Sequence, residues 1–176
     1  MNKLDFFNLL DEQKSAREWI NEWLAIKNGY RVETPLRIVY VRNGKIEVLD
    51  YLDLSRKSDV WGIEANGYCW KKDYYAQTTY DTAKNIAERV GNRVAEIPTT
   101  EYMEFMASII PSYNATVNIL CEHGIDACGW NVCDIPYATA DAQNRENVFV
   151  FCARLGGIDI VGRNEKLQIK IGFKAN

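Results

Sequence analysis

Histidine is almost missing from this sequence: His123 is the single one among 176 residues. That excludes, within one chain, an iron centre built from two histidines and a carboxylate. Glycine-rich phosphate loops are lacking too, because "GRNEK" and "LGGID" read as hairpin turns. No apolar run approaches the roughly 18–20 residues that a membrane helix needs. Basic charge is in short supply, with 21 Lys and Arg against 24 Asp and Glu, a net charge of −3 and a pI near 5.3. A large, sequence-independent grip on nucleic acid needs a basic face, so nucleic acid is not an expected partner. The opening "MNKLDFFNLLDEQKSAREW" interrupts its apolar residues with Asp5, Asp11 and Glu12 and does not read as a signal peptide. Export by the general route is therefore not expected.

What is present suits a packed core: 47% hydrophobic and 26% charged residues, in a chain long enough for one domain and an appendage. Five cysteines (Cys69, Cys121, Cys128, Cys133 and Cys152) are an odd number, so at least one stays a thiol. They read as small apolar core or strand residues.

Periodicity divides the chain. The first 28 residues read as helical, with Trp19, Ile20, Trp23 and Leu24 forming a wide apolar face that ends at Asn28-Gly29. That face must cover either its own domain or another chain. Two β-rich pairs follow, each divided by the strongest short hairpin signal, Asn43-Gly44 and then Asn66-Gly67. Asp81 is the expected cap of a helix with Ala83, Ile86, Ala87 and Val90 on one face. Pro98 then separates a strand end from a second helix, in which Met103, Met106, Ala107 and Ile110 share a face. A third helix places Val117, Leu120 and Cys121 together and stops at Gly124. From Asp126 to Asn147 no period is visible, which reads as a long loop. The end, "NVFVFCARL", "GIDIV" and "KLQIKIGF", reads as a three-stranded antiparallel meander.

Hairpin, short helices, irregular loop and closing strands follow each other in the order of a C-type lectin-like domain. The chain resembles the bacterial and phage branch of that family, whose central motif runs Trp-Arg-Leu-Pro-Thr. The matching residues are Ala95-Glu96-Ile97-Pro98-Thr99, followed by Thr100 and Glu101. "YYAQTTYDTAKNIAERVGN" is similar to the family's first helix, and Trp130 falls at its loop tryptophan. The resemblance runs from Ser58 to Phe173 and departs at Glu96, Met103 and Asn131-Val132, where the family has arginine, tryptophan and serines.

The expected fold is therefore α+β: an N-terminal helical segment (1–34), a linking hairpin (35–57) and a C-type lectin-like domain (58–176). The resemblance implies a non-enzymatic adhesion or assembly protein, of the kind found in phage virions as a head-fibre or decoration component. A bacterial-surface carbohydrate- or protein-binding module is the alternative, and an enzyme with an unrecognised site is the third class. No cofactor is expected. Partners would be other virion proteins or further copies of the chain, with a cell-surface glycan or protein under the alternative.

Catalytic chemistry finds few residues. Formylglycine-generating relatives need a reactive cysteine pair near the domain end, where Cys152 stands alone. Cys121 and His123 are two apart on a helix and do not face each other. Cys121, His123, Cys128 and Cys133 offer four zinc-type ligands, but at knuckle spacing gone wrong, with Cys121 expected on a core-facing helix side. The animal lectin calcium triplets are absent, and Asp126, Asp134, Asp141 and Asn144 are scattered. Trp130, Asn131 and Tyr137 are the candidate ligand or partner contacts; the two rings suit equally a contact platform and core packing. Trp19, Ile20, Trp23 and Leu24 are the candidate oligomerisation or anchoring residues.

Overall fold

Short hairpins set the architecture. The computed structural model describes residues 16–89, 109–130, 137–152 and 156–174. Helix α1 (Ala16–Lys27) is followed by β1 (Arg31–Arg42) and β2 (Lys45–Asp53), then by a 3-10 turn (Leu54–Asp59). The second hairpin is β3 (Val60–Ala65) and β4 (Tyr68–Thr78), leading into α2 (Tyr80–Arg89). After α3 (Ile110–Glu122) come β5 (Tyr137–Ala142), β6 (Asn147–Cys152), β7 (Gly157–Gly162) and β8 (Leu167–Lys174). The fold is mixed α+β with a core that is mostly sheet.

Both Asn-Gly pairs make the expected turns. Asn43 and Gly44 have φ of 51° and 75°, and Asn66 and Gly67 have 52° and 77°, the left-handed pair a two-residue hairpin needs. Helix α1 ends as expected, with Gly29 at φ 72°.

The strands form one sheet in the order β2-β1-β3-β4-β8-β5-β6-β7. Two expectations change here. The hairpin at 35–57 is not a link between units, because β1 pairs antiparallel with both β2 and β3. Its first strand begins at Arg31, so the 34/35 boundary falls inside a strand. Nor do the last three strands form a meander. β7 pairs with β6, whereas β8 returns to lie between β4, antiparallel, and β5, parallel. A C-terminal strand with buried positions on both faces finds more cover in the sheet centre than at its edge.

The supposed long loop contains strand β5. Tyr137, Ala138 and Thr139 are all buried, so both faces are covered and no polar alternation is left to read. The helix expected after Pro98, with the joint itself, lies outside the described residues, except that Ile110, expected on its apolar face, instead opens α3, four residues ahead of Asn114. Helix α2 starts at Tyr80, one residue ahead of its expected cap. Asp81 falls in the first turn, and its carboxylate accepts from Arg163 at 3.2 Å.

Helices cover both sheet faces. On one, Ala25 of α1 and Tyr113, Val117 and Leu120 of α3 pack over Ile38, Tyr40, Ile63 and Trp70. On the other, Tyr80 and Ala83 of α2 pack with Val39, Val148, Val150, Ile169 and Ile171. Cys121, expected beside Val117 and Leu120, is exposed. The buried set is Tyr113, Thr116, Val117 and Leu120, and Cys121 lies one position beyond it. Pro35 lacks an N–H, and the β1–β2 register shifts between Glu33 and Ile38. The neighbouring Leu36 N–H is met instead by the Thr116 hydroxyl at 3.3 Å.

The close approach of β3 to β4 depends on Gly62. A Cβ there would stand 1.8 Å from the Trp70 carbonyl oxygen, and that atom is backbone and cannot swing aside. Gly62→Ala should therefore destabilise the protein by about 3 kcal/mol or more. Gly157→Ala, where a Cβ meets nothing within 4 Å, should stay within about 1 kcal/mol of the parent. Urea unfolding of the two variants side by side checks this.

Candidate functional site

The expected contact rings are inside the protein. Trp130 and Tyr137 are buried, with ring centroids 4.8 Å apart, and therefore do not form an outward platform. Trp130 also meets Trp70 edge-on at 5.1 Å, Tyr113 at 6.2 Å and Phe151 at 6.4 Å. Such pairs add about 0.5–1.5 kcal/mol each beyond their buried area. Core packing, the second of the two readings, describes these rings. The reason is the stretch preceding Trp130. Asn114 on α3 accepts from the Trp130 N–H at 2.9 Å, and the Cys128 N–H reaches the Lys72 carbonyl at 2.7 Å. These bonds lay the chain flat on the sheet. Asn131 lies outside the described residues.

Beside this aromatic group stands a residue that sequence reading missed. Lys170 is 2% exposed, although it sits at the centre of "KLQIKIGF". Its Nζ donates to the Cys128 carbonyl at 2.6 Å, the Tyr113 hydroxyl at 2.8 Å and the Lys71 carbonyl at 3.1 Å. Three acceptors match the three donors of an ammonium. The ammonium also lies 4.9 Å from the Tyr113 ring centroid. Burial pushes the Lys170 pKa down to about 7, against the charges of Cys128 and Asp73, which raise it; Lys71 lowers it further. Burial also drives the Tyr113 hydroxyl far above its ordinary value. Burial alone would raise Asp73, but the hydrogen bond and charge of Lys71, with Lys72 and Lys170, hold its carboxyl below the usual range.

A lysine of low pKa beside a tyrosine is a familiar way to make a nucleophile. Here every ammonium proton is committed to a protein acceptor. The group therefore works as a tie joining β8 to β4, α3 and the stretch before Trp130. The signal in the sequence was only polar alternation, Gln168 and Lys170 against Ile169 and Ile171, which ordinarily marks a solvent-facing side. α3 covers that side instead.

The candidate zinc ligands are not gathered. Cys121 is exposed and Cys128 is half-buried, with Cys121 Sγ donating to the Ala127 carbonyl at 3.5 Å. Cys133 lies outside the described residues, among which no group of three His, Cys, Asp or Glu side chains is placed to hold a metal. Cys121, Cys128 and Cys152 are free thiols, and burial pushes the Cys152 pKa upward.

Two surfaces remain. Helix α1 turns most of its apolar residues outward: Ile20, Trp23, Leu24 and Ile26 are 41–59% exposed, whereas Trp19, expected on the same anchoring face, is half-buried with its indole nitrogen inside. What it buries is Ala25, while Glu22 pairs with Arg31 at 2.6 Å. Near its first turn, a cleft is lined by Arg17, Arg42, Asn43, Lys45, Glu47 and Arg56. No helix among the described residues is long and apolar enough to cross a membrane. No protein-family model, no curated protein and no solved structure matches the chain.

The tie makes a signed prediction. Lys170 has a lower pKa folded than the ordinary 10.5, so between about 7 and 10.5 the unfolded chain binds more protons. Raising pH through that window should therefore stabilise the fold, by up to about 1.4 kcal/mol per pH unit from this group. Urea midpoints across pH 6.5–9.5 should rise relative to those of Lys170→Met. That variant should be less stable at every pH, because it leaves the three buried acceptors without their donor.

Proposed function

We propose that the protein is a non-enzymatic assembly module that docks through α1. The observation carrying this is the orientation of that helix. An amphipathic helix in an isolated domain buries its apolar stripe, and this one buries Ala25 and leaves Ile20, Trp23, Leu24 and Ile26 in solvent. The stripe is wide, and Lys27 beside it caps the Trp23 ring at 4.8 Å. Each large apolar side chain contributes roughly 1.5–3 kcal/mol on full burial. A surface of this kind rewards a second helix laid against it, and the occupant we infer is α1 of another copy.

The C-type lectin-like reading is part of the same proposal. Its support is the element order: hairpin β3–β4, helices, an irregular stretch at 125–130, and closing strands β6 to β8 within a single sheet. The motif residues around Pro98 lie outside the described residues and do not bear on it. With that reading the protein is a phage virion component, of the head-fibre or decoration type, and its further partners are other virion proteins. The bacterial-surface binding module is less favoured, because Trp130 and Tyr137 are spent in the core.

Replacing Ile20, Trp23 and Leu24 together by Asp leaves Ala25 and the Glu22–Arg31 pair in place. The parent should sediment as an oligomer at micromolar concentration and the triple variant as a monomer. Far-ultraviolet circular dichroism and thermal midpoint should differ little between them. A monomeric parent at high concentration would sink the reading.

A further inference from the structure

We propose that the cleft at the β1–β2 turn is a binding site for a phosphate or sulfate group carried by a small molecule. The cleft has a volume of about 490 Å³, within the range of small-molecule sites. Four cationic side chains line it, Arg17, Arg42, Lys45 and Arg56, against the single carboxylate of Glu47. In a protein of net charge −3, this is a local reversal of sign.

Glu47 is already engaged. It accepts from Arg56 at 2.9 Å and lies 3.6 Å from Arg17. Arg56 is further fixed by stacking 4.5 Å from the Tyr40 ring centroid and by Asp59 at 3.7 Å. The Arg56 guanidinium is thus oriented before any ligand arrives, and an oriented guanidinium suits the forked recognition of a tetrahedral oxyanion.

Arg42 and Lys45 make the stronger argument. They are register partners closing the Asn43-Gly44 turn, so their side chains leave the same face of the sheet. Like charges directly opposite destabilise a strand pair. Among the described residues neither has an ion-pair partner. Protection of a sheet edge accounts for a lysine on β2. It does not require a second cation directly opposite, at Arg42, which stands two residues past the last β1–β3 pair, Tyr40 with Val60. A local rule broken without compensation in the fold marks a functional position, and an anion between the two residues supplies the missing charge. The chain's net negative charge argues against a nucleic-acid chain, so the oxyanion belongs to a small molecule. This site does not depend on the assembly reading.

Two probes test it: inorganic pyrophosphate and a sulfated disaccharide, each titrated while backbone amide resonances are followed. At least one should perturb Asn43, Gly44 and Lys45 saturably, and the more effective probe identifies which ester the site takes. The unsulfated disaccharide should have no effect. Arg42→Gln with Lys45→Gln should weaken binding at least about tenfold, with a thermal midpoint equal to or above the parent's because a repulsive pair is gone. The monomeric α1 variant should bind as the parent does. No perturbation by either probe, or binding undiminished in the double variant, would overturn the proposal.

Discussion

Antiparallel pairing of β4 with β8 holds the molecule together. Of the described strands, residues 31–78 make four from two local hairpins and residues 137–174 make four more. Among the described strands, only β4 and β8 pair across these groups, through partners such as Trp70 with Gly172 and Tyr75 with Ile169. Such contacts are remote in sequence and costly in chain entropy. The Lys170 tie and the Trp130 aromatic group sit at this seam and offset that cost. Removing the Lys170 side chain would leave three acceptors bare where the two groups meet.

Much of the fold was legible because local chemistry decides it. Asn-Gly between alternating apolar residues admits few conformations, and both hairpins form where that signal stands. Glycines after Asn28 and His123 end α1 and α3 for the same local reason. Strand order was not legible. Nothing within "KLQIKIGF" distinguishes the third strand of a meander from one inserted between β4 and β5. Strand β5 was hidden because Tyr137, Ala138 and Thr139 are buried together. Period-two patterning disappears once both faces of a strand are covered.

The candidate sites divide along the same line. The apolar stripe of α1 was visible as helical spacing, and its exposure follows from tertiary placement. Trp130 and Tyr137 were visible as rings, but their burial depends on Asn114 and on the remote Lys72 carbonyl. Lys170 did not stand out, because its alternation with isoleucine looks like an exposed face. The cleft was missed for a different reason: Arg42 and Lys45 flank a turn whose glycine and asparagine drew the attention.

Helix α1 links the two surfaces. Its own hold on the sheet is modest: Ala25 is small, and exposed ion pairs are worth about 0–1 kcal/mol. The Arg31–Glu22 pair is better placed, being half-buried, with the guanidinium also 4.5 Å from the Tyr51 ring centroid. Polar contacts of this kind orient a helix more than they bind it. The same helix carries Arg17 into the cleft, where Glu47 receives it. Burying the outer stripe against a second copy would therefore steady the whole helix. The proposed anion site stays independent of that assembly, because Arg42 and Lys45 belong to the β1–β2 turn and Arg17 is one cation of four.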